Sequence, residues 1–141
     1  MTTNHSNQEK QYLELLTEVS NTGILRPGRN GNTLSLFGRR MVFDLLGKLP
    51  MLTTKQMPFK TIWSELLWML SGSSNAHELY QKYNNKIWLA NASREFLDKR
   101  NLNDYPEGEL GPVYGVQWRN WNQTGLDQIS ELVANIKKDP Y

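Results

Sequence analysis

Ile62-Trp-Ser-Glu-Leu-Leu-Trp-Met-Leu70 is the stretch on which the fold turns. Ile62, Trp63, Leu66, Leu67, Met69 and Leu70 leave almost no polar side at helical spacing, so the segment predicts a helix buried on nearly every face. Its single acid is Glu65. A buried carboxylate is costly unless paired, and burial moves such groups toward values useful for acid/base work. The alternative is a glutamate that points along a polar edge or meets a lysine.

Toward the carboxyl end, residues 75–83 read as a second helix with Ala76, Leu79, Tyr80 and Tyr83 on one side, and residues 93–100 as a short third. Residues 103–125 hold glycines, a proline and aromatics without a period, as a functional loop would. Within them, Glu109-Leu-Gly-Pro-Val-Tyr-Gly-Val-Gln-Trp-Arg119 fits either a binding loop or a stiff turn packed by Tyr114 and Trp118. The cluster Trp118-Arg119-Asn120-Trp121 is read as core or pocket packing. Ile129, Leu132, Val133 and Ile136 mark a last amphipathic helix.

Toward the amino end, residues 50–55 form a connector. Residues 33–37 alternate like a strand, and Met41, Phe43 and Leu45 resume the alternation, which predicts a pair of strands. Before them lies a basic loop, Arg26-Pro-Gly-Arg-Asn-Gly-Asn-Thr33. Its glycines would let backbone amides approach an anion, and its arginines offer planar forks for phosphate. Taken alone, the loop reads more simply as an ordinary turn with solvated arginines, since short basic glycine turns are common. Residues 1–7 are expected to be a flexible terminus, and residues 8–141 one domain. Ser6 with Glu9 fits a capping box, followed by a helix through Val19 that Asn21 and Gly23 stop.

The 141 residues carry 16 basic and 14 acidic groups, a net charge of +2 that gives no electrostatic reason to expect DNA binding. The longest greasy run, residues 66–70, is far short of a membrane span. The start has no signal-peptide pattern, so a soluble, cytoplasmic protein is expected. There is no cysteine, which excludes disulfides and thiolate metal sites. His5 and His77 have no partner at ligand spacing, and no metal is expected.

Several of these segments together resemble thymidylate synthase. They are Thr33-Leu-Ser-Leu-Phe-Gly38, Leu52-Thr-Thr-Lys55, Glu65-Leu-Leu-Trp68 with Ser71-Gly-Ser-Ser-Asn75, Ile87-Trp88, Ala90-Asn-Ala-Ser-Arg-Glu-Phe-Leu97, the run from Gly108 to Arg119, and Asp127-Gln128. The resemblance implies an α+β fold: the amino-terminal part of the family's domain, a mixed sheet backed by helices, incomplete at this length. Helices at 63–70 and 129–136 would then keep core faces without partners.

The resemblance also implies a methyltransferase that converts dUMP to dTMP with 5,10-methylenetetrahydrofolate as co-substrate, working as a homodimer. A cysteine thiolate adds to uracil C6, C5 attacks the folate's one-carbon unit, and a base removes the C5 proton. In that scheme Glu65 orders water and assists proton transfer, and Tyr114 helps the C5 proton leave. Arg29, with Arg26 as the alternative, meets the nucleotide phosphate. Trp88 and Asn91 wall the substrate pocket, Ile87 packs on the folate ring and Lys55 approaches its glutamate tail. The family's cysteine, in a Pro-Cys-His setting, would fall beyond Tyr141, so this stretch alone is expected to be inactive. Two further readings are a deoxypyrimidine-nucleotide hydroxymethylase of the same fold, and a non-catalytic nucleotide-binding or regulatory partner.

Overall fold

The structure, a computed structural model, describes residues 5–29 and 31–140. The chain forms two compact units, Met1–Met57 and Pro58–Tyr141.

In the first unit, α1 (His5–Thr22) is followed by an antiparallel hairpin of β1 (Ile24–Gly28) and β2 (Gly31–Ser35). The expected stop at Gly23 is present: its N–H donates to the Val19 carbonyl at 2.9 Å, closing the last turn. The first four residues lie outside the described ones. The capping box expected from Ser6 and Glu9 involves a side chain outside the described ones; the Glu9 carboxylate accepts from the backbone N–H and hydroxyl of both Thr53 and Thr54 at 2.6–2.8 Å.

The strand assignment needs correcting in two places. Residues 26–28 and 31–32 belong to the hairpin ladder rather than to a loop, with Arg26 opposite Thr33 and Gly28 opposite Gly31. The connection shrinks to Arg29 and residue 30, the latter outside the described residues. The strand expected around Met41, Phe43 and Leu45 is absent. Gln11, on α1, takes both backbone groups of Val42: its Oε1 accepts the Val42 N–H at 3.0 Å and its Nε2 donates to the carbonyl at 2.9 Å. With those groups occupied, Val42 has no backbone group left for a strand ladder. A further tie to α1 is the bidentate Arg39–Glu18 pair, 2.6 Å at its shortest. The sheet among the described residues is therefore two-stranded and antiparallel, not mixed.

The second unit is helical: α2 (Phe59–Leu70), α3 (Ala76–Tyr83), a 3-10 turn at Leu89–Ala92, α4 (Arg94–Lys99), α5 (Tyr114–Arg119) and α6 (Gln128–Lys138). Side-chain caps start three of them, with Asn75, Ser93 and Asp127 accepting N–H bonds from His77, Phe96 and Ser130. The core is small, made of Trp68, Ala76, Leu79, Ala92 and Leu97. Against expectation, α2 is not buried all round. α3 and α5 pack on it and bury Ser64 and Trp68, while Phe59, Ile62 and Trp63 stay exposed. The exposed side has no partner element within this unit. Among the described residues, no helix is long and apolar enough to cross a membrane.

Candidate active site

Glu65 leaves α2 on a half-buried side, where the indole Nε1–H of Trp88 donates to its Oε1 at 2.7 Å. The carboxylate therefore meets neither a lysine nor a purely polar edge. No protein donor among the described residues meets its second oxygen, which is left for water or a ligand. One fixed oxygen and one available one make a positioned group suited to handing on a proton.

Trp88 reaches this point because the chain after α3 is held against α2. Asn84 caps α3 in the left-handed region at φ 54°, its N–H donating to the Tyr80 carbonyl at 2.7 Å. Asn85 then turns inward and binds the Thr61 carbonyl and Ser64 hydroxyl of α2. The 3-10 turn begins directly after Trp88, and the Asn91 N–H donates to the Trp88 carbonyl at 3.1 Å. Asn91 is half-buried and Ile87 exposed.

The run from Gly108 to Arg119 is a stiff turn followed by α5. Gly108, at φ 97°, is stitched on both sides: its N–H donates to the Ala92 carbonyl at 2.9 Å and its own carbonyl accepts from Ala76 at 2.8 Å. The Leu110 N–H donates to the Ser74 carbonyl at 3.0 Å. The Glu109 carboxylate accepts the Gly111 N–H at 2.8 Å, which closes the turn. α5 then lies on α2 at Gly115, where any Cβ would sit 2.5 Å from the Met69 carbonyl oxygen. That close approach presents Tyr114 beside Trp88. Together with Pro112, Gln117, Trp118 and Trp121 they line an open cleft of about 660 Å³. Its walls are largely aromatic, and Gln117 brings an amide to them. A planar heterocycle fits such walls by stacking.

A family model described as thymidylate synthase matches residues 10–141. The chain belongs to the thymidylate synthase family. It is 45% identical to a bifunctional dihydrofolate reductase-thymidylate synthase of Leishmania amazonensis, over 96% of this chain and 28% of that protein. It is 41% identical to a thymidylate synthase of Bos taurus, over 94% of this chain and 40% of that one. A thymidylate synthase of Equine herpesvirus 2 is 39% identical over 94% of this chain and 50% of its own length. The chain thus spans between about a quarter and a half of the length of these curated relatives.

Of the family residues expected from the sequence, Glu65 and Trp88 are in direct contact, and Trp88 and Tyr114 share one cleft. Ile87 and Asn91 flank Trp88 along the chain. Arg29 and Lys55 belong to the first unit and are exposed there, Arg29 at the hairpin turn and Lys55 after the Glu9–Thr54 contact. Arg26 is also exposed, in β1. The Trp118–Trp121 cluster serves as cleft wall, in keeping with pocket packing. Three site features escaped the sequence reading. Gln128 lines the cleft and donates to the Gln117 carbonyl at 2.8 Å. Asn85 and Ser64 tie the backbone just before Trp88 to α2, and an Asn-Asn pair after a helix signals only a turn.

Proposed function

We propose that this chain forms part of the substrate site of a thymidylate synthase that reductively methylates dUMP to dTMP. 5,10-Methylenetetrahydrofolate supplies the carbon and the hydride, and the complete protein works as a cytoplasmic homodimer. The observation that carries this reading is the Trp88–Glu65 hydrogen bond at the edge of the aromatic cleft. Glu65 holds ordered water and relays protons near the pyrimidine, while Trp88 and Asn91 wall the pocket. Tyr114 guides the C5 proton outward, Ile87 packs on the folate ring, Lys55 meets the folate tail and Arg29 the nucleotide phosphate. The thiolate that opens the reaction comes from outside these residues, which contain no cysteine. By themselves they are expected to turn nothing over.

The test is a chimera in which this chain replaces the matching stretch of the Bos taurus thymidylate synthase. A dimeric chimera should form dTMP from dUMP and the folate. Glu65→Gln in it should lower kcat by about 10²-fold or more, the usual share of a positioned acid/base group, with little change in dUMP affinity. A folded, dimeric chimera that makes no dTMP would overturn the proposal.

A further inference from the structure

Asn85 is only 5% exposed, and its amide joins α2 to the chain segment that leads into Trp88. Its Nδ2 donates to the Thr61 carbonyl at 3.0 Å and to the Ser64 hydroxyl at 2.9 Å, both on α2. Its Oδ1 accepts the Ile87 N–H at 3.1 Å. A carbonyl on one side and an N–H on the other permit only one orientation of the amide. The Ser64 hydroxyl itself donates to the Thr61 carbonyl at 3.0 Å, so the cluster closes on itself.

The residues on either side of this amide are the ones that form the candidate site. Ser64 directly precedes Glu65, and Ile87 directly precedes Trp88. The amide is therefore a rivet between the helix that carries the carboxylate and the backbone that carries the indole. An apolar side chain of similar volume would fill the space but would fix neither the turn nor the rotation of the backbone entering Trp88. We propose that Asn85 is a positioning residue, which holds the Trp88 indole on the Glu65 carboxylate. The inference shares Glu65 and Trp88 with the proposed function, but its readout is an indole resonance rather than turnover, so either can fail without the other.

The experiment uses the full 141-residue chain labelled with ¹⁵N and carrying Leu132→Lys and Ile136→Lys, which place charge on the exposed apolar strip of α6 and keep the chain from associating; its five tryptophans each supply one indole N–H. Trp88→Phe identifies the Trp88 signal. In Asn85→Val that signal should move upfield, and its exchange with solvent should quicken about tenfold, as for loss of a hydrogen bond to a charged group. The indoles of Trp118 and Trp121 should stay in place. Leu97→Val, which thins the core elsewhere, serves as the control and should lower stability without moving the Trp88 signal.

An unmoved Trp88 signal in folded Asn85→Val would overturn the proposal, as would an equal shift in Leu97→Val. Should Asn85→Val fail to fold, Ser64→Ala decides, because it removes one bond of the amide and keeps the other two. A Trp88 indole shift in Ser64→Ala supports the assignment, and no shift overturns it.

Discussion

At Trp88 one indole N–H pairs a carboxylate that is half withdrawn from water. Trp88→Phe keeps the ring and deletes the donor, so Glu65 loses its only protein partner among the described residues. The expected cost is about 1–3 kcal/mol, the range for stranding a charged acceptor, measured as a lower urea midpoint. Glu65→Gln leaves an amide oxygen to accept the same N–H and should cost less than Trp88→Phe.

A second carboxylate makes an opposite kind of claim. Glu9 is held at about 2 against an ordinary 4.5, first by the Thr53 hydroxyl and then by Thr54. The unfolded chain takes up a proton near 4.5 while the folded chain keeps the carboxylate charged down to about 2. The stability this contact contributes is thus complete above pH 4.5 and is lost as the pH falls from 4.5 toward 2. Thermal melts of wild type and Glu9→Gln should differ by a constant amount above that window and converge within it.

At the scale of elements, the decisive contact is α5 on α2. Gly115→Ala would push a Cβ into the Met69 carbonyl, and α5 carries Tyr114 and much of the cleft wall. The helix must lift, at about 1–3 kcal/mol, visible as a lower thermal midpoint. The aromatic cleft should lose definition in near-ultraviolet circular dichroism at the same time.

Helices were legible in the sequence wherever one face repeated, as at residues 75–83 and 129–136. α5 was not, because six residues are too few to show a period and the preceding Gly-Pro pair reads as loop. The false strand near Met41 arose from a real alternation. What overrode it was a long-range bond from Gln11, thirty-one residues earlier, and no local pattern encodes such a partner. The site shows the same division. Glu65 stood out as a lone acid in an apolar helix and Trp88 came only from the family resemblance, whereas their pairing and the Asn85 bridge depend on how α3 exits toward α2.

For the whole molecule, the balance of covered and uncovered apolar surface sets behaviour in solution. Phe59, Ile62 and Trp63 form one exposed apolar strip on α2, with the Phe59 and Trp63 rings stacked at 6.3 Å, and Leu132, Val133 and Ile136 form another on α6. α6 buries none of its residues and is held mainly through α5 and the Arg119–Asp127 pair at 2.9 Å. The amphipathic pattern of α6 was readable in the sequence, whereas α2 read as apolar nearly all round; uncovered faces on both were expected only from the family resemblance, and which turns of α2 would be covered was not legible.

Contiguous apolar strips of this kind drive association. The chain should therefore self-associate at micromolar concentration, with a sedimentation average that rises with concentration. Leu132→Lys combined with Ile136→Lys places charge on positions already more than half exposed, where a substitution costs no more than about 0.5 kcal/mol. That variant should keep the helical content of the parent and sediment closer to a single chain. If the parent is monomeric across the concentration range and melts cooperatively, the two strips are tolerated by water and the association argument fails. If the variant associates as strongly as the parent, the adhesive surface is the α2 strip, and Trp63→Lys should then release it.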